Sequence, residues 1–123
     1  MIEINLNTAS FKLTVTGHAE PDESDSYQQI CAATSAIVQA LAYSITKFNH
    51  EGDAMQSFKF QDEPGNVLLK VVPEEWAENS IRRRFYEYGD GLELLALSHS
   101  CSVQMIWDGE KILQAKEERK DNE

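Results

Sequence analysis

Nowhere do these 123 residues string together the ~18 to 20 consecutive apolar side chains that cross a bilayer. No membrane partner is therefore expected. The first residues, Met1-Ile2-Glu3-Ile4-Asn5-Leu6-Asn7, alternate apolar and polar. They lack the basic start and apolar block of a signal peptide, and the reading places the protein in the cytoplasm. Cysteine is scarce, with only Cys31 and Cys101, which makes a weak case for a disulfide in that compartment. There is no Cys-x-x-Cys and no tight His/Cys cluster of zinc-ligand type. His99 and Cys101 stand two apart and make a poor metal pair, so neither a metal nor a cofactor is expected. Positive charge is also short. Eleven Lys and Arg face 21 Asp and Glu, a formal net charge of −10. That balance argues against a direct nucleic-acid partner and favours a basic peptide, or simply solubility.

What is present suits one domain over residues 1–115, followed by a charged tail over residues 116–123. Ile2, Ile4 and Leu6 alternate with polar residues, as do Phe11, Leu13 and Val15. A period of two predicts strands over 1–7 and 11–16, joined as a hairpin by Asn7-Thr8-Ala9-Ser10. Residues 19–26 form a loop with Pro21 and the carboxylates Glu20, Asp22, Glu23 and Asp25. The loop lacks the spacing and glycine of a calcium-binding loop, so it reads as solvated or as a fringe for a basic peptide.

A helix follows to about Lys47, with Ser26 and Gln29 fitting a capping box. Ile30, Ile37, Leu41 and Phe48 mark one apolar stripe, and Cys31, Ser35, Val38, Ala42 and Ile45 a neighbouring one. Met55–Phe60 and Val67–Val72 predict a second hairpin around Asp62-Glu63-Pro64-Gly65-Asn66. Pro73-Glu74-Glu75 is expected to open a second helix. Its face is Ala77, Ile81, Phe85, Tyr88, Leu92 and Leu95, with a kink at Gly89-Asp90-Gly91. Arg82-Arg83-Arg84 is read as a solvated face, and Trp76 and Trp107 as core or interface anchors. Residues 102–107 predict a last strand before the Asp108-Gly109 turn. The order ββαββαβ implies an α+β fold, with two helices packed on one face of a mainly antiparallel sheet.

Two residues carry candidate chemistry. Gly17-His18-Ala19 closes the second strand, and Cys31 opens a run of small residues, Cys31-Ala32-Ala33-Thr34-Ser35-Ala36. Cysteine attacks as the thiolate, which a helix N-terminus and a neighbouring imidazole both stabilise. His18 would then return a proton to a leaving amine, while backbone N–H groups held the oxyanion. A helix starting at Ser26 puts Cys31 in the second turn, where the dipole has weakened; a later start suits catalysis better. On spacing alone the structural readings come first: Cys commonly packs as a small buried hydrophobe, and a lone strand-end His is more often structural than catalytic.

At these residues the chain resembles the ribosomal-processing cysteine protease Prp family. The likeness rests on Gly17-His18-Ala19, an acidic loop, and Ile30-Cys31-Ala32-Ala33-Thr34-Ser35-Ala36, with element order and length in agreement. The resemblance implies a cysteine endopeptidase that removes a short N-terminal extension from a large-subunit ribosomal protein, a basic substrate. Phage relatives process capsid or scaffold proteins. Carried over, Cys31 is the nucleophile, His18 the base, and Ser35 lines the site one turn below. A homodimer is also implied. Two positions depart from the pattern. Gln28 stands where the family has Asp, placing an uncharged substrate-contacting side chain there, and residues 19–29 contain no glycine. The alternatives are a non-catalytic or substrate-shifted relative that binds a basic peptide, or a phage-type capsid or scaffold maturation protease.

Overall fold

The computed structural model describes residues 1–18 and 27–112. The acidic loop with its Ser26 cap, and the tail from residue 116, lie outside the described residues. The elements are β1 (Ile2–Asn7), β2 (Lys12–Thr16), α1 (Tyr27–His50), β3 (Met55–Glu63) and β4 (Asn66–Pro73). After a 3₁₀ turn at Glu75–Ala77 come α2 (Glu78–Ser98), β5 (Val103–Trp107) and the two-residue β6 (Glu110–Lys111). The expected α+β order is found, extended by β6.

The six strands form one sheet in the order β3-β4-β2-β1-β5-β6. All pairings are antiparallel except β1 with β5, which is parallel. Alternation sorts the faces. Ile2, Ile4, Leu6, Leu13, Val15, Leu69, Val71, Val103 and Met105 are buried under the helices. Their neighbours Glu3, Asn5, Asn7, Lys12 and Lys70 lie on the open face and are exposed. Helix α1 contributes Ile30, Val38, Leu41, Ala42 and Ile45 to the core, and α2 contributes Ile81, Phe85, Leu92 and Ala96. By length and mean hydropathy (1.2) Gln28–His50 could cross a membrane, but here that apolar flank is used against the sheet and α2.

Several boundaries differ from the sequence reading. Pro73 ends β4 opposite Met55 instead of opening a helix, as suits a residue with no N–H at a strand terminus. The hairpin strands β3 and β4 run to a two-residue turn at Pro64-Gly65, and α1 continues to His50. The Asn49 side chain then accepts from the Met55 backbone N–H at 3.0 Å and fixes the exit into β3. The arginine run is not simply solvated. The Arg84 guanidinium lies 4.3 Å from the Phe48 ring centre and donates to Ser44 Oγ and the Ser80 carbonyl, tying α2 to α1. Arg82 lies over the Phe11 ring and reaches the Thr8 carbonyl. Trp76 is not a core residue; it is exposed and rests on Phe48. At the far end, Thr8 donates its backbone N–H and its hydroxyl to Asp108, clasping the β1–β2 turn to the β5–β6 turn.

Helix α2 runs unbroken through both glycines, and the structure gives one of them a reason. Gly89 is buried where the helix crosses the sheet; a Cβ there would meet Leu6 Cδ2 at 2.7 Å and Trp107 at 2.9 Å. Leu6 is fully buried and has nowhere to move. At Gly91 a Cβ would meet Ile37 at 3.4 Å, an ordinary contact. Gly89→Ala is therefore expected to destabilise by roughly 1–3 kcal/mol through overpacking. Gly91→Ala should be neutral or gain up to ~1 kcal/mol of helix propensity. Urea unfolding of the two variants checks the contrast, and equal effects would contradict the packing account.

Candidate active site

One cleft collects the chemistry that the sequence singled out. Its lining includes Ile2 and Val15 from the covered sheet face, Gly17 and His18 after β2, Cys31, Thr34 and Ser35 from α1, and the β3–β4 turn from Asp62 to Val67. Its volume is about 400 Å³. Three segments remote in sequence thus meet at one end of the sheet.

Each wall has a local cause. The antiparallel β2–β4 register ends on the pair Thr16↔Asn66, so the Pro64-Gly65 turn abuts the residues that follow β2. Gly17 donates its N–H to the Gly65 carbonyl at 3.0 Å, and the His18 carbonyl accepts from the Met1 ammonium at 2.6 Å. Gly17 has φ +87° with the Met1 carbonyl pressed where a Cβ would stand, which makes glycine a requirement of the Gly-His-Ala segment. The His18 side chain is held beside the turn: a Cβ on Gly65 would lie 2.5 Å from Nε2.

Cys31 is the fifth residue of α1, in its second turn, which corresponds to the early helix start. Its thiol is free and half-buried, packed against the edge of the core. Thr34, buried below it, donates its hydroxyl to the Ile30 carbonyl at 2.8 Å, and Ser35 is exposed one turn on. Both line the cleft with the thiol. The structure therefore brings His18, Cys31 and Ser35 together. Gln28 is exposed on the first turn of α1 and is not among the lining residues.

Asp62 and Glu63 were read only as part of a turn, yet they form the acidic wall of the cleft. Asp62 accepts from the Gln39 side chain at 2.8 Å, which links the turn to α1. Pro64-Gly65 showed that a turn exists; which segment it would face depends on a pairing with β2, some fifty residues earlier, that leaves no local signal. The second cysteine, Cys101, is exposed and not among the lining residues, and His99 caps the end of α2. Among the described residues no cluster of His, Cys, Asp and Glu could hold a metal ion.

A half-buried thiol and an imidazole line the same open cleft. The family model described as cysteine protease Prp matches residues 1–106, and the chain belongs to that family of cysteine proteases. Among solved structures, the fold is similar to the essential ribosomal processing protease Prp of S. aureus in complex with a substrate peptide. That match has a TM-score of 0.67 and 12% identity over 87% of this chain and 99% of the other. The same S. aureus protease with a covalently linked product peptide matches at TM-score 0.67 and 14% identity, with the same coverage. SMU.848 from Streptococcus mutans matches at TM-score 0.61 and 16% identity, over 86% of this chain and 90% of that one. No curated protein sequence matches the chain.

The geometry of the turn makes a direct prediction. Gly65 has φ +75°, so Gly65→Ala adds backbone strain of roughly 1 kcal/mol and drives a methyl group toward the His18 ring. The imidazole should leave its place, visible as shifted His18 ring resonances in NMR spectra. Unchanged ring resonances would contradict the packing of His18 on the turn.

Proposed function

We propose that this cysteine protease is an endopeptidase in which Cys31 is the nucleophile and His18 its acid–base partner. Its proposed substrate is a large-subunit ribosomal protein precursor, from which it removes a short N-terminal extension. The observation that supports the reading is the shared cleft, whose lining includes His18, Cys31, Ser35, Asp62 and Glu63.

The chemistry follows from the groups present. The Cys31 thiolate, with His18 as imidazolium, attacks the scissile carbonyl carbon and forms a C–S bond. The carbonyl oxygen takes the negative charge, and N–H groups of the cleft wall stabilise it. As the C–N bond breaks, His18 gives its proton to the departing amine. A water molecule, deprotonated by His18, then attacks the thioester. The acid product leaves, and the thiolate–imidazolium pair is restored. Ser35 lines the peptide path. Gln28 lies three residues before Cys31 on the same helical flank and is assigned contact with substrate beyond the cleft.

The S. aureus ribosomal processing protease, of similar fold, binds a substrate peptide and a covalently linked product peptide, which supports a peptide at this cleft and a covalent step. Asp62 and Glu63, with the net charge of −10, favour a basic substrate. We assign the activity to the cytoplasm and to a homodimer. Exposed Tyr43 and Leu94 on the helical layer offer apolar area that a second copy would cover.

The test is cleavage of a peptide spanning the extension junction of the ribosomal protein. Wild type should cut it, Cys31→Ala should not, and His18→Ala should be slower by roughly 10²-fold or more, the usual scale for loss of a general acid–base group. If wild type cuts no faster than Cys31→Ala yet binds the peptide, the chain is a binding module instead.

A further inference from the structure

The open face of the sheet carries a charge pattern opposite to that of the whole chain. The registers Asn7↔Lys12, Lys12↔Lys70 and Lys59↔Lys70 align one cross-strand row, Asn7-Lys12-Lys70-Lys59, over four neighbouring strands. Lys12, Lys70 and Lys59 are all exposed. Strands lie ~4.8 Å apart, so the three lysines crowd into roughly 10 Å. Like charges directly opposite each other weaken a sheet. Lys111, paired with Ile106, projects from the same face at the other edge. Of the five lysines among the described residues, only Lys47 lies elsewhere. The carboxylates of this face, Glu3 and Glu63, stand in the row Glu3-Thr16-Asn66-Glu63, about 13 Å along the strands.

Beside the lysines, Asn5, Asn7, Ser10, Lys12 and Thr14 line a cavity of about 300 Å³. Its walls are amides and hydroxyls. We propose that this face docks the sugar–phosphate backbone of an RNA strand, with Lys12, Lys70 and Lys59 on successive phosphates and the amides and hydroxyls on sugar 2′-hydroxyls. An acidic peptide fits less well. Among the described residues the face has no arginine fork for carboxylates. Among those residues it also carries no aromatic side chain, so bases are not stacked and the binding is independent of sequence. A net charge of −10 disfavours nucleic acid at long range, but within a Debye length of ~10 Å the local row dominates. The cleft opens on the covered side at the opposite end of the strands, so RNA and peptide are held at once. This inference does not rest on the identity of the peptide substrate.

The experiment is fluorescence anisotropy of a labelled single-stranded RNA of mixed sequence, about 20 nucleotides long, titrated with the full chain. Wild type should bind in ~50 mM salt, with a log–log salt slope near −2, the value for about three phosphate contacts on a single strand. The triple variant Lys12→Gln/Lys59→Gln/Lys70→Gln should bind at least tenfold more weakly while keeping its circular dichroism spectrum and its peptide cleavage. DNA of the same sequence should bind more weakly than RNA, and poly-glutamate more weakly still. No binding by wild type, equal binding by a folded triple variant, or a preference for DNA or poly-glutamate would overturn the proposal.

Discussion

The antiparallel pairing of β2 with β4 is the constraint on which both faces of this molecule depend. One register, from Lys12↔Lys70 to Thr16↔Asn66, decides what lies above and below the sheet. At its Thr16 end it carries the Pro64-Gly65 turn to Gly17 and His18 and closes the cleft around Cys31. At its Lys12 end it lines up the lysines of the open face. A slip of one residue would move every side chain of β4 to the other face. Leu69 and Val71, both buried, would then meet water, at a cost of roughly 1.5–3 kcal/mol each. The hydrophobic alternation of β4 therefore fixes the geometry of the site without contributing a catalytic atom.

The helical layer does complementary work. Helix α1 supplies Cys31 at the edge of the core and seats Ile30, Val38, Leu41 and Ile45 on the sheet. Cys31 is thereby attached to a rigid element, while His18 follows a strand end clamped by two backbone hydrogen bonds. Arg84, between Phe48, Ser44 and Ser80, holds α2 to α1. Its charge is used for packing; among the described residues the exposed lysine and arginine side chains are the sheet-face lysines, Lys47 and Arg83. Asp62 and Glu63 line the cleft. A net charge alone therefore misdescribes what the lysine row will bind.

The amino-acid sequence made the strands and helices legible because their periods are local. Ile2, Ile4 and Leu6 alternate, and Ile81, Phe85 and Leu92 recur on one helical stripe, as the burial of each shows. His18 and Cys31 were legible as a pair from residue types and spacing, and the family resemblance narrowed that pair to a protease; their common cleft is what the structure adds. What stayed hidden depends on partners remote in sequence. The parallel β1–β5 pairing, the contribution of Asp62 and Glu63 to the cleft, and the lysine row all arise from cross-strand neighbours that no window of residues contains. Gly89 looked like a weak point in a helix, and only the crossing of α2 over Leu6 and Trp107 explains it. Pro73 misled for a related reason, since the start of a helix and the end of a strand both tolerate a missing N–H.

We propose that His18 activates Cys31 within the cleft that both residues line. The chain contains its own control in Cys101, an exposed cysteine that is not among the cleft-lining residues, while Cys31 is half-buried. The most direct measurement is the rate at which a limiting amount of iodoacetamide alkylates each cysteine in the native protein, read by peptide mass spectrometry. Accessibility alone would favour Cys101. The account predicts that Cys31 reacts faster, and that His18→Ala abolishes its lead. Faster alkylation of Cys101 in both proteins would contradict it.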